Sequence, residues 1–109
     1  AGIGLLKASQ VMNDPKLKEL AQKQLDWIVG NNPFNSSTVV GVGYNHPKHF
    51  PGSTFYPTTP VIPGAVLNGL GGSPADQPEI GNGSWQISEY WTPMVAFTLW
   101  LMAELTAAG

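Results

Sequence analysis

Thr92-Pro93-Met94-Val95-Ala96-Phe97-Thr98-Leu99-Trp100-Leu101-Met102-Ala103-Glu104-Leu105-Thr106-Ala107 is the stretch on which the fold turns. Thr92 is a helix-capping residue type, and Pro93 suits the first turn, where its missing N–H would have no partner anyway. From Met94 to Leu105, interrupted by Thr98, apolar side chains cover nearly every face. A helix that is apolar all round is buried on most sides. The run is about 12 residues against the roughly 20 that span a bilayer, so it predicts a core helix and no membrane span.

Two helices precede it. Asp14 caps the better defined one and Pro15 opens it. Leu17, Leu20, Ala21, Leu25 and Ile28 then recur at helical spacing, with Lys16, Lys18, Glu19, Gln22, Lys23 and Asp26 on the other face. Gly30 suits a left-handed stop, and Asn31-Asn32-Pro33 prevents continuation. Ile3, Leu6, Val11 and Met12 predict a weaker helix that starts with no capping signal. Two helices cannot bury the apolar third on all sides. The expectation is an all-α chain whose greasy surface is covered by further protein, a cut piece of one domain spanning residues 1–109.

The bulk composition agrees. Hydrophobic residues make up 42% and charged residues 11%, against about 25% charged in ordinary domains. The net charge is −2 and arginine is absent, with Lys7, Lys16, Lys18, Lys23 and Lys48 scattered. Nucleic-acid binding needs clustered cations to displace phosphate counterions, so that partner is excluded. The absence of cysteine excludes disulfides and thiolate metal sites. The first residues lack the basic start and long apolar run of a signal peptide.

Between Asn31 and Trp91 lie 61 residues that hold 8 of the 10 prolines and 9 of the 13 glycines. Disordered segments are poor in aromatics and rich in charge. This one carries Phe34, Tyr44, Phe50, Phe55, Tyr56, Trp85, Tyr90 and Trp91 with only four charged residues. It is therefore expected to be ordered by tertiary contacts and to carry the chemistry. Thr38-Val39-Val40 and Pro60-Val61-Ile62 are its short strand-like runs.

Two clusters in this loop bear functional side chains. In Trp85-Gln86-Ile87-Ser88-Glu89-Tyr90-Trp91, Glu89 sits just before the third helix. The partial positive charge of the helix start lowers a carboxyl pKa, whereas water exclusion by Tyr90 and Trp91 raises it. The first balance gives a helix-start carboxylate and the second a general acid. Trp85, Tyr90 and Trp91 are either sugar-stacking rings or core packing. In His46-Pro47-Lys48-His49, the two histidines lack a third ligand at metal-binding spacing, which leaves substrate hydrogen bonding or a packing role. Asp76 and Glu79 read as solvated carboxylates, with calcium ligation as the alternative. Gly41-Val42-Gly43 fails the dinucleotide fingerprint at His46, and no helix follows it.

Taken together, four segments resemble glycoside hydrolase family nine. Gln24-Leu25-Asp26-Trp27-Ile28-Val29-Gly30-Asn31-Asn32-Pro33 is similar to its QLDYLLGxNP segment. Val40-Gly41-Val42-Gly43, followed by Pro47 and His49, is similar to its GFG…PHHR loop. Pro63-Gly64-Ala65-Val66-Leu67-Asn68-Gly69 resembles PGALVGG, and Trp91-Thr92-Pro93-Met94-Val95 resembles WNAPLV. The resemblance implies the C-terminal portion of an (α/α)6 barrel, three helices with one long ordered loop, incomplete on its own. It implies an inverting hydrolase of β-glycosidic bonds, secreted or periplasmic. Its partners would be an oligo- or polysaccharide substrate and the rest of the same catalytic domain. No cofactor is implied, with structural calcium left open.

The resemblance carries the sugar-contacting role to His49 and more weakly to His46, beside the rings of Tyr44, Trp85, Tyr90 and Trp91. It makes Glu89 the general acid, although gap-free counting from Pro93 puts Trp85 at the family's glutamate. Phe50 stands where the family has an arginine. The water-activating aspartates would lie upstream, so these residues alone should be inert. Two other readings compete: a non-catalytic carbohydrate-binding module, disfavoured because such modules are mostly β-sandwiches, and an inactive barrel remnant.

Overall fold

The computed structural model describes residues 1–47, 62–79 and 90–109. Helix α1 spans Gly2–Met12 and begins with no side-chain cap, as its sequence predicts. It ends where Asn13 takes a left-handed φ of 52°, a conformation asparagine tolerates better than most residues. The Ser9 hydroxyl donates to the Asp14 carbonyl at 2.7 Å, and the Asp14 N–H donates back to the Ser9 carbonyl at 3.1 Å. This reciprocal pair closes the turn into helix α2, Pro15–Ile28, making an αα-hairpin. The Asp14 carboxylate caps α2 by accepting from the Lys16 N–H at 2.9 Å, with Pro15 in the first turn.

Helix α3 spans Thr92–Ala108. Its cap is Trp91, in extended conformation and without a side-chain hydrogen bond. This corrects the expectation that Thr92 caps: Thr92 is already helical, and the backbone at Trp91 makes the turn. The three helices meet around Leu6, Ala21, Leu101 and Leu105, with Ile3, Leu5 and Leu25 packed against them. Gly2 allows α1 to approach α3 closely, because a Cβ there would lie 2.6 Å from Leu101 Cδ2. Val11 and Met12, expected on the apolar face of α1, instead face solvent, Val11 with 86% of its surface exposed.

Burial on α3 runs against its chemistry. Thr98 is 7% exposed, whereas Phe97 is 59% exposed and Leu99, Trp100, Met94 and Met102 are also exposed. Phe97 and Trp100 stack on each other, centroids 6.3 Å apart and rings inclined by 21°. The described part of the long loop has its own buried group: Val39, Val40, Ala65, Val66 and Leu67. Val39 pairs with Val66 in an antiparallel bridge, so the strand-like reading of Thr38-Val39-Val40 holds at its centre. A two-residue antiparallel ladder, β1 (Gly71–Gly72) with β2 (Pro78–Glu79), was not foreseen from the sequence. The Pro60-Val61-Ile62 run lies mostly outside the described residues. The chain is all-α in class, with three helices among the described residues.

Candidate functional site

The loop leaves α2 through a backbone that only glycine permits at two points. Gly30 has φ 114° and Gly43 φ 84°. A Cβ on Gly43 would stand 2.2 Å from the Val29 carbonyl oxygen, and one on Gly30 would stand 3.0 Å from that of Tyr44. The two segments are therefore in backbone contact. The Tyr44 N–H donates to the Val29 carbonyl at 2.9 Å, and the Tyr44 carbonyl accepts from Ser37 N–H at 2.8 Å. Gly41-Val42-Gly43 is thus a tight turn against the end of α2, in keeping with rejecting it as a nucleotide motif.

Asn32 organises the same corner. Its Oδ1 accepts from the Phe34 and Ser36 N–H groups at 3.1 and 3.3 Å, while Nδ2 donates to the Trp27 and Ser36 carbonyls at 2.8 and 2.9 Å. Ser37 is fully buried and its hydroxyl accepts from the Val39 N–H at 3.0 Å. Thr38 N–H donates to the Ile28 carbonyl at 2.9 Å, and Thr38 carbonyl accepts from Leu67 N–H at 2.9 Å. Leu67 in turn pairs with Tyr90, immediately before α3. A continuous backbone ladder thus links the end of α2, the turn at Tyr44 and the start of α3. Sequence reading assigned Asn32 only a helix-stopping role and missed Ser37. The local signal was the Asn-Asn-Pro-Phe-Asn-Ser-Ser run, rich in residues that bond their own backbone.

Tyr44 projects from this frame with 68% of its surface exposed. His46 is exposed on the same turn, with Nδ1 3.3 Å from the Pro47 carbonyl oxygen. Tyr90 is half-buried and Trp91 exposed at the entrance to α3. Tyr44 with His46, and Tyr90 with Trp91, form two aromatic positions on one hydrogen-bonded frame. Glu89, His49 and Trp85 lie outside the described residues. Asp76 is an exposed turn residue with φ 58°, closing the β1–β2 hairpin through its N–H to the Ser73 carbonyl at 2.9 Å. No three His, Cys, Asp or Glu side chains among the described residues are grouped to hold a metal ion. No helix among them is long and apolar enough to cross a membrane.

Comparison with known proteins places this frame in a family context. The family model described as glycosyl hydrolase family 9 matches residues 1–102. A stretch of 45 residues is 47% identical to Endoglucanase 14 of Arabidopsis thaliana, covering 41% of this chain and 8% of that protein. No solved structure gives a significant match.

Proposed function

This chain belongs to glycosyl hydrolase family 9, and on that premise we propose that it is the C-terminal part of an (α/α)6-barrel enzyme that hydrolyses β-glycosidic bonds in glucan or a related oligosaccharide. The observation that carries the reading is the family match over nearly the whole chain, joined to a ladder that holds Tyr44, His46, Tyr90 and Trp91 on one frame. Pyranose rings present apolar C–H faces that pack on exposed aromatic rings, and hydroxyl edges that hydrogen-bond with an imidazole ring. The family resemblance adds sugar-contacting roles for His49 and Trp85 to the proposal. Such an enzyme meets its polysaccharide outside the cytoplasm, in a secreted or periplasmic setting.

Glu89 is the proposed general acid. It protonates the leaving glycosidic oxygen while a carboxylate elsewhere in the complete protein takes a proton from the attacking water, and the anomeric centre inverts. Inversion requires the two carboxyl groups about 6.5–9.5 Å apart, leaving room for that water. Neither step calls for a cofactor. The test is Glu89→Gln in the complete enzyme, assayed on an unactivated β-glucan. Turnover is expected to fall on the order of 10²–10⁴-fold, the usual contribution of a positioned acid. Unchanged turnover removes Glu89 from the mechanism, and retention of anomeric configuration in the first product, read by proton NMR, overturns the inverting route.

A further inference from the structure

Beside Tyr44, the close approach of Val29–Gly30 to Gly43–Tyr44 leaves an open depression of about 510 Å³. It is lined by Asp26, Gly30, Asn31, Asn35, Gly43 and Tyr44, with Val29 at its edge. The hollow of about 450 Å³ between the helices is lined by Gln24, Trp27, Met94, Phe97, Thr98 and Leu101 and has no carboxylate in its lining. Here a carboxylate, two carboxamides and an exposed phenol ring converge on one small surface. The Asp26 carboxylate accepts from Gln22 Nε2 at 2.9 Å through Oδ1, which orients it along the last turns of α2. Asn31 is held by its N–H to the Asp26 carbonyl at 2.9 Å, and Asn35 by its N–H to the Asn32 carbonyl at 3.0 Å. Asn35 sits at φ 48° and is exposed. The backbone of every polar group lining the depression is thus fixed by hydrogen bonds, while the side chains remain accessible.

We propose that this depression is a sugar subsite in which Asp26, Asn31 and Asn35 hydrogen-bond the hydroxyls of one pyranose unit whose face packs on Tyr44. The carboxylate supplies acceptors, the carboxamides supply both donors and acceptors, and the ring supplies an apolar face. A neutral polyol matches that set. An anion is disfavoured by Asp26, and a wholly apolar ligand would leave three polar groups unpaired. The subsite rests on the carbohydrate-processing reading of the chain and adds three residues to it, none of them placed among the sugar contacts by sequence reading.

The test is calorimetric titration of cellohexaose into the complete enzyme carrying Glu89→Gln, so that the oligosaccharide survives. Asp26→Asn, Asn35→Asp and Tyr44→Ala are introduced singly into that background. Asp26→Asn and Asn35→Asp preserve shape, and aspartate also tolerates the left-handed backbone at position 35. Each variant is expected to weaken binding about tenfold, the scale of one charged or well-placed hydrogen bond, with the melting temperature unchanged. Parent-like binding by all three variants overturns the subsite while leaving the enzyme reading intact. A parent that binds no oligosaccharide overturns both. Loss of binding accompanied by a fall in melting temperature in every variant assigns these residues to folding and also overturns the subsite.

Discussion

Glu104 accepts from Lys7 Nζ at 2.7 Å and from the indole Nε1 of Trp100 at 3.0 Å, both on Oε1. The Lys7 hydrogen bond first, then that of Trp100, hold its carboxyl below the ordinary 4.5. A lowered folded-state pKa means that ionised Glu104 favours the folded form. That contribution is complete above the ordinary carboxylate value and disappears as pH falls through the depressed one. Glu104→Gln is therefore expected to melt on the order of one degree lower at neutral pH, a small effect because the pair is solvent-screened. The gap should narrow as pH falls below 4.5 and through the depressed value, as melting curves at stepped pH would show. A gap that stays constant across the whole acid range means the charge contributes nothing. None of this was legible beforehand, since Lys7 and Glu104 are 97 positions apart. Local residue roles were more readable: Asp14 and Pro15 act where their chemistry predicts, because capping involves only neighbours within a few positions. Gly43 is the contrary case. Its glycine signals a turn, but the need for glycine comes from the Val29 carbonyl 14 positions away.

Helix α3 leaves most of its apolar surface uncovered. Its sequence is apolar on nearly every face, yet only Thr98, Leu101 and Leu105 are buried. Phe97, Leu99, Trp100 and Met102 form an outer surface that water would meet at considerable cost. The helix itself was legible in sequence to within a residue at its C-terminal end, because periodicity and proline placement are local. Which face it buries was not, since an all-apolar helix has no preferred side and its neighbours choose one. On the barrel reading proposed above, Phe97 is covered by the rest of the domain. Phe97→Ala should then cost about 3–5 kcal/mol, as for a buried phenylalanine, read as a fall in the denaturant midpoint. A change within about 0.5 kcal/mol, typical of a surface position, would leave that face of α3 in water.

Among the described residues one buried group lies between the helices and another within the loop, joined by the ladder from Ile28 through Thr38 and Leu67 to Tyr90. The radius of gyration is 14.9 Å, against about 13 Å for a compact domain of this length, and the extents of 47 × 29 × 20 Å describe a slab more than a sphere. A slab keeps apolar surface at its faces. Expressed alone, residues 1–109 are expected to self-associate and to bind a hydrophobic dye, because exposed apolar patches beyond a few hundred Å² drive association. Light scattering and calorimetry would show this, and a monomer with a single cooperative melt would refute it. The helices, the helix stops and the family resemblance were readable in the residues alone, because they depend on neighbours in the chain and on local motifs. The burial of Thr98 beside an exposed Phe97, the packing of Gly43 against Val29, and the shared surface of Asp26, Asn35 and Tyr44 emerged only on folding. These outcomes depend on contacts between distant segments, whose geometry no local pattern encodes.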